Sequence, residues 1–396
     1  MGILRRRHHG QDTSAFLHPH VRPGDGHGCG IRCRQDREKT LRCRMAQGSQ
    51  HPLRQQAHRT ARKAVYSQRA KDKGGCTVPE VSVVIPNLNG GHLLPMCLDT
   101  LRKQTFRDFE VIVVDNGSRD GSLKLLRDTY PEVRIVSLDR NYGFAYPVNR
   151  GIEASRGEYV CLLNNDIELD TRWMEELLSS LRNHPDAGSA GPKLMRWHER
   201  ERINVLAIRV NLDGHVEIVG AGENDLGQYD EEQFVFGVNA GASMYRKAMF
   251  DDIGLFDEVF FASFEDVDLA FRAQLAGYKA LYVPRAVGYH MVGATIKKRR
   301  YRPTYLNNRN STLFFWKNMP GELIRKNLPA IVGNRMGIFL KRILKNFWKL
   351  RTFHYLRGTA AGYMCMPHIL RERRQIQEAC RVTPEYIESI LDRDFV

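Results

Sequence analysis

From Val81 onward, runs of continuous apolar residues alternate with stretches of helical period, and that alternation leaves few folds open. Val81-Ser82-Val83-Val84-Ile85 reads as a buried strand, closed by Pro86 and a turn over Asn87–Gly91. Leu94, Cys97, Leu98 and Leu101 then follow at i, i+3, i+4 and i+7, one face of a helix. The pattern repeats. Strand Val111–Val114 ends in Asp115-Asn116-Gly117-Ser118, and a helix with Leu123 and Leu126 follows. Strand Val133–Leu138, a helix from about Tyr146 to Ser155, strand Tyr159–Leu163 and a helix marked by Met174, Leu177, Leu178 and Leu181 come next. Strands buried on both faces and separated by helices predict an α/β fold, a doubly wound, mostly parallel sheet with helices on both faces. Such sheets bind ligands at the carboxyl ends of their strands, where Asp115 and Asp166 both fall. Neither G-x-G-x-x-G after the first strand nor a G-x-x-x-x-G-K-[ST] loop occurs, which argues against dinucleotide and P-loop sites.

Charge is distributed in blocks. Residues 1–79 carry 17 Lys+Arg and 5 Asp+Glu, residues 80–295 carry 22 and 33, residues 296–374 carry 19 and 2, and residues 375–396 carry 2 and 5. The net charges are therefore +12, −11, +17 and −3, summing to +15 over 396 residues. An acidic centre is poorly suited to gripping a phosphate backbone, so no nucleic-acid partner is expected, but it suits carboxylates collected around a cation. Residues 1–79, rich in Arg, His, Gln and Gly, lack apolar periodicity and are expected to be disordered, either a functional basic tail or a dispensable extension with Met45 the true start. The eight cysteines lack paired spacing, which predicts reduced thiols and a cytoplasmic setting; Cys29, Cys33 and Cys43 do not form a zinc pattern. No apolar segment follows Arg5-Arg6-Arg7 as a signal peptide would need, and no run approaches the ~18 apolar residues of a membrane span.

Four places carry chemistry. Asp115 ends a buried strand before a Gly-Ser turn, where a carboxylate either accepts hydrogen bonds from a base or ribose or caps its own turn. Asp166 ends the fourth strand behind Asn164 and Asn165; one carboxylate plus substrate phosphates is a usual Mg²⁺ arrangement, and strand-end capping is the alternative. Glu265 and Asp266 are adjacent carboxylates among aromatics, suited to a general base, or to the solvated first turn of a helix. His290 follows the strand-like run Ala280–Val287 and could complete a metal shell or be structural.

The segments VSVVIPNLNG, VIVVDNGSRDGS, NYGFAYPVNRGI, GEYVCLLNNDIELD, NAGASMYRKAMFDDIGLFDE and FFASFEDVDLAFRAQLAGY, spread over some 240 residues from Val81 to about Pro320, resemble the family 2 glycosyltransferases with the GT-A fold. Within that family the chain is most similar to the rhamnosyltransferase-like branch that builds bacterial surface polysaccharides. The resemblance implies that Pro86, Asn87 and Asn89 line the nucleotide pocket and that Asp115 holds the pyrimidine and ribose. Asn141, Gly143, Phe144 and Asn149 match the motif bordering the nucleotide-sugar site, and Gly241 and Ala242 a segment beside the acceptor. Asn164-Asn165-Asp166 stands where the family has its D-x-D; only Asp166 keeps the carboxylate, while Asn164 and Asn165 would shape the sugar pocket. Asp266, beside Glu265, matches the catalytic base, and His290 a late metal-binding histidine. The implied activity is inverting, metal-dependent transfer from a nucleotide-diphosphate sugar (dTDP-rhamnose or a UDP-sugar) to a hydroxyl of a glycan or lipid-linked acceptor, with Mg²⁺ or Mn²⁺ as cofactor. The implied domains are a catalytic domain at 80–295, with a nucleotide-sugar half (80–170) and an acceptor half (171–295), followed by a helical extension at 296–396.

In that extension Met336, Phe339, Leu340, Ile343, Leu344 and Phe347 recur on one helical face, with Lys341, Arg342, Lys345 and Lys349 opposite and Trp348 near the apolar side. Such a helix either lies on an anionic membrane, here the inner face of the cell membrane, or packs on the catalytic domain with its lysines outward. The competing functional readings are a nucleic-acid-binding protein using the basic flanks and a catalytically silent nucleotide-sugar-binding relative.

Overall fold

The computed structural model describes residues 78–293, 302–346 and 350–391. Residues 1–77 of the predicted tail, with Cys29, Cys33, Cys43 and Cys76, and Phe347, Trp348 and Lys349 lie outside the described residues.

The predicted alternation is present. Strands β1 (Val81–Asn87), β2 (Phe109–Asp115), β3 (Arg134–Ser137) and β4 (Tyr159–Leu163) alternate with helices α1 (Leu94–Arg102), α2 (Ser122–Thr129) and α3 (Ala145–Ala154). Next come β5 (Ile167–Leu169), α4 (Trp173–Asn183), β6 (Ala187–Arg196), β7 (Ile203–Val205), β8 (Ile208–Val210), β9 (Val216–Ile218), β10 (Gln233–Val235), β11 (Ala242–Arg246), α5 (Lys247–Ile253), α6 (Glu265–Leu275) and β12 (Lys279–His290). The main sheet is ordered β10-β12-β6-β11-β4-β1-β2-β3. β2, β1 and β4 pair in parallel, as do β2 with β3 and β12 with β6; β11 is antiparallel to both β4 and β6, so β6 and β12 run in the direction of the first four strands. Pairing of β1 with β4 ends at Val84–Leu162. Pro86, which has no N–H to give, lies beyond that ladder.

Alternate residues of each central strand enter different cores, as a doubly wound sheet requires. Val83, Ile85, Val111, Val113, Cys161 and Leu163 pack with α1 and α4 through Leu94, Leu98, Trp173 and Leu177. Val84, Ile112, Val114, Val160 and Leu162 pack on the other face with Val148, Ile152, Phe250 and Leu269. Cys97 and Cys161 are buried and free, and Cys365 and Cys380 are also free. Burial pushes the Cys97 and Cys161 thiols well up, so they behave as small apolar groups.

The extension forms α7 (Arg302–Asn318), α8 (Gly321–Asn346), α9 (Leu350–Met364), α10 (Met366–Glu378) and α11 (Pro384–Ile390). A third core joins it to α6: Val267, Phe271 and Leu275 pack with Leu313, Phe314, Phe315, Met319, Ile369 and Ile387. Beneath that core lies a buried ionic cluster. Lys317, 2% exposed, places Nζ 2.6 Å from Asp257 and 3.0 Å from Asp268; Arg272 Nε donates to Asp268 at 2.8 Å, and Asn318 Nδ2 does so at 2.8 Å. Burial alone would raise the Asp268 pKa, but the Lys317 and Arg272 cations overcome it and hold the carboxyl below its ordinary range. Packing therefore accounts for α7 and part of α8. It leaves Leu328, Val332, Met336, Leu340 and Leu344 of α8 exposed at a regular four-residue spacing, with Phe353, Tyr363 and Met364 of α9 also exposed. Among the described residues, no helix is long and apolar enough to cross a membrane.

Candidate active site

The polar residues at the carboxyl end of the sheet are joined by a continuous run of contacts. Asp115, 1% exposed, accepts from Asn87 Nδ2 at 3.1 Å and from the Ser118 N–H at 3.0 Å. The second bond is the turn-capping geometry weighed from sequence, and the first ties β2 to β1. Asn87 Oδ1 in turn accepts from Asn165 Nδ2 at 2.7 Å. Asn164 donates its N–H to the Gly241 carbonyl at 2.7 Å, and the Gly241 N–H donates to Asn239 Oδ1 at 2.9 Å. Asn239 Nδ2 then reaches Asp266 Oδ2 at 3.2 Å. Asn87, Asp115, Asn164, Asn165, Gly241 and Asp266 thus belong to one network spanning β1, β2, β4, β11 and α6. Ala242, buried, is the first residue of β11, paired with Leu163.

The turns beside this network are tightly cross-braced. Asn89 sits in the left-handed region at φ 51°, gives its N–H to Ser118 Oγ at 2.8 Å and accepts from the Arg119 N–H at 2.7 Å. A side chain at Gly90 would place Cβ 2.1 Å from Asn165 Nδ2 and 2.5 Å from Asn87 Oδ1, so only glycine lets those amides meet. Asn116 holds the next turn, donating to Asn141 Oδ1 at 3.3 Å and to the Gly143 carbonyl at 2.7 Å. Gly143, at φ 92°, lets the chain pass close beneath Phe261, and the Phe144 N–H donates to the Phe261 carbonyl at 2.5 Å. Asn149 is buried, and its amide brackets the chain at 256–258: Nδ2 donates to the Phe256 carbonyl at 2.8 Å and to Glu258 at 3.0 Å, and Oδ1 accepts from the Phe256 N–H at 3.0 Å. Its visible work is to hold α3 against that loop.

At the other edge, His290 Nε2 stands 3.3 Å from Asp166 Oδ1. The cause is register: β12 pairs His290 with Ile167 of β5, immediately after Asp166. His290 Nδ1 is hydrogen-bonded to Asn204 Oδ1 at 2.8 Å, which fixes the ring so that Nε2 faces the carboxylate. Among the described residues, no group of three or more His, Cys, Asp or Glu side chains converges as a metal cage. An oxygen and an imidazole nitrogen side by side fit a divalent cation that takes its remaining ligands from phosphate and water. Two partners in this region, Asn204 and Asn239, were not singled out from sequence. Asn239 heads the NAGASMY segment, whose spacing could have pointed to it; Asn204 lies in a short strand without any local signal.

Glu265 and Asp266 form the first turn of α6. Glu265 is 7% exposed, and its Oε2 has no hydrogen-bond partner. Burial, reinforced by the Asp266 charge, pushes its pKa up to about 8. Burial raises Asp266 too, but backbone N–H groups of Val267 and Ala240 oppose the shift by stabilising the anion. Burial and the neighbouring charge thus favour the protonated form of Glu265, while the backbone donors favour the anion at Asp266, and the two titrate as a pair. The loop that delivers this pair is strained: Phe261, Ser263 and Phe264 have φ values of 63°, 71° and 70°. Non-glycine residues held there cost about 1–3 kcal/mol each, and such strain gathers at functional sites.

A twisted sheet whose parallel strands end in a shared cluster of carboxylates and amides defines an α/β ligand-binding domain with its site at those strand ends. The family model "Glycosyl transferase family 2" matches residues 82–254. The match stops before Glu265, Asp266 and the extension. The chain is 28% identical over 230 residues to an N-acetylglucosaminyl-diphospho-decaprenol L-rhamnosyltransferase of Mycobacterium tuberculosis, covering 52% of this chain and 75% of that protein. It is 28% identical over 211 residues to the O-antigen biosynthesis protein RfbC of Myxococcus xanthus, covering 51% of this chain and 16% of that protein. In two of the curated relatives the chain spans only 25% and 16% of the relative's length. Among solved structures, GalNAc-T7 with UDP, GalNAc and Mn²⁺ overlays with a TM-score of 0.49 at 16% identity, covering 68% of this chain and 57% of that one.

Proposed function

We propose that the chain transfers a sugar from a nucleotide-diphosphate sugar to a hydroxyl of a glycan or lipid-linked acceptor in surface-polysaccharide synthesis, with dTDP-rhamnose or a UDP-sugar as donor. The observation that carries this reading is the network linking Asp115 through Asn87, Asn165, Asn164, Gly241 and Asn239 to Asp266, which joins a nucleoside-binding end to a base-bearing end. In it, Asp115 keeps unfilled acceptor positions for the base or ribose, since its two oxygens offer about four lone-pair sites and two are taken. Asp266 accepts the proton of the acceptor hydroxyl as that oxygen attacks the anomeric carbon and the nucleoside diphosphate leaves. A single displacement inverts the anomeric centre. Asn239 aims the Asp266 carboxylate, and neutral Glu265 adds no second charge beside it. Asp166 and His290 would hold a divalent cation, Mg²⁺ or Mn²⁺, which when bound offsets negative charge on the departing diphosphate.

The test is thermal shift against dTDP-, UDP- and GDP-sugars with and without Mn²⁺. One nucleotide sugar should raise the melting temperature in a metal-dependent way, and Asp166→Ala should lose at least about tenfold in donor affinity with metal present. Stabilisation by RNA and by no nucleotide sugar would reverse the assignment, and unchanged donor affinity in Asp166→Ala would remove the metal role.

Peripheral attachment to an anionic membrane at the cytoplasmic face belongs to the same reading. It rests on the exposed Leu328, Val332, Met336, Leu340 and Leu344 of α8 and on the +17 charge of residues 296–374. Deleting the extension would expose the third core, so point changes at exposed positions are the cleaner probe. The Leu340→Glu/Leu344→Glu double variant should float with phosphatidylglycerol vesicles at least about fivefold less than wild type, with an unchanged melt. Equal flotation would exclude this face.

A further inference from the structure

Helix α7 reaches into the loop that carries the candidate base. Asn310 is fully buried, and its Nδ2 donates to the carbonyls of Phe260 at 2.8 Å, Ala262 at 3.0 Å and Ser263 at 2.7 Å. Arg309 donates to the Val259 carbonyl at 2.8 Å and to Asn310 Oδ1 at 2.9 Å, which orients the amide. Two turns on, Lys317 holds Asp257 at 2.6 Å. One helix therefore grips the chain from Asp257 to Ser263, the segment with left-handed Phe261 and Ser263. On its far side the loop touches the predicted donor motif: the Phe261 carbonyl accepts from the Phe144 N–H, and a Cβ on Gly143 would lie 2.2 Å from that oxygen. At its end, Phe264 at φ 70° turns directly into Glu265 and Asp266.

We propose that Asn310 is a positioning residue for the transfer step, an amide from the helical extension that sets the distance between the donor motif at Gly143–Phe144 and the base at Asp266. Three carbonyls pointing at one amide hold a backbone that its own φ angles disfavour, and a loop released from them relaxes towards common φ values and carries the start of α6 with it. The turnover part of this inference rests on the function proposed above. The extension then acts on the site through this loop.

The test compares full-length wild type, Asn310→Leu, which keeps the shape and removes the donors, and Ile369→Ala, which weakens the same core on α10 and leaves the loop's hydrogen bonds to Asn310 in place. In hydrogen exchange, the amides of Phe144 and Phe260–Ala262 should exchange at least about tenfold faster in Asn310→Leu and within about twofold of wild type in Ile369→Ala. In release of nucleoside diphosphate from dTDP-rhamnose, or from the donor the thermal-shift panel selects, Asn310→Leu should lose at least about tenfold in kcat with donor KM within about threefold. Unchanged exchange, unchanged kcat, or an equal kcat loss in Ile369→Ala overturns the inference. Should Asn310→Leu fail to fold, Arg309→Met, which removes the more accessible Val259 bond, is expected to show the same split at about three- to tenfold, and an unchanged kcat there overturns it equally. A wild-type chain that turns over no donor removes the functional reading, and the positioning role with it, while the exchange arm still reads the tether.

Discussion

Asp266→Asn is expected to lower kcat by about a thousandfold while leaving nucleotide-sugar affinity within about threefold, because a positioned general base contributes about 10²–10⁴. The neighbouring change behaves oppositely. Glu265 is already protonated at neutral pH, so Glu265→Gln swaps one neutral group for another and should hold kcat within about threefold of wild type. The pH profile separates the two roles. Asp266 must be ionised to act, so kcat/KM falls as pH drops, through a midpoint that burial raises from the ordinary aspartate value. The groups facing it are Glu265, the Asn239 amide and the buried Tyr245 hydroxyl, whose own pKa is raised first by burial and then by Asp266 and Glu265. Stability gives a second readout. The folded-state pKa of Glu265 lies above its unfolded value, so the wild type has its full stability below the unfolded value and loses it as pH rises towards about 8. Glu265→Gln escapes that loss and should melt above wild type at pH 8–9 and together with it near pH 4. Retained turnover in Asp266→Asn, or a Glu265→Gln variant as dead as Asp266→Asn, sinks the assignment of the base.

The second large effect concerns the joint between α6 and α7. Lys317→Met should cost about 3 kcal/mol or more at pH 7, since removing one partner of a buried ion pair strands the other. Asp268 keeps Arg272 and Asn318, which limits the damage, whereas Asp257 keeps only the Val259 N–H among the hydrogen bonds described for its side chain. The folded-state pKa of Asp268 is depressed, so its contribution is present above the unfolded value and lost as pH falls through the folded one. The deficit of Lys317→Met should accordingly shrink between pH 7 and pH 3. Urea unfolding at both pH values measures it; a deficit below about 1 kcal/mol at pH 7, or one independent of pH, contradicts the account. Together with Asn310, this cluster ties folding of the extension to the geometry of the loop before α6.

Much of the β1–β4 half was legible because its signals are local. Continuous Val and Ile runs at Val81–Ile85 and Val111–Val114 read as strands buried on two faces; Asp115 directly follows the second, and Asp166 lies three positions after the Tyr159–Leu163 run. The second half was harder. The three-residue strands between Ile203 and Val235 are too short to show a period, so Asn204 carried no signal, and β11 runs against its neighbours because of long-range pairing. The C-terminal apolar pattern was read as one face, but the structure divides it. Phe339 rests near Tyr355 of α9 with ring centroids 5.7 Å apart, while Met336, Leu340 and Leu344 stay exposed.

What the sequence determined by itself was the element order, the two-faced burial of the first four strands and the residue types at their ends, because each depends on spacings of a few residues. Only the tertiary structure decided that Asp166 meets His290 through the β5–β12 register, that Asn239 links the Gly241 segment to Asp266, and that Asn310 and Lys317 of a distant helix hold the loop before Asp266. Those contacts join residues tens to more than a hundred positions apart. Closing such separations is the work of the packed cores, and no local pattern records which side chains they bring to hydrogen-bonding distance.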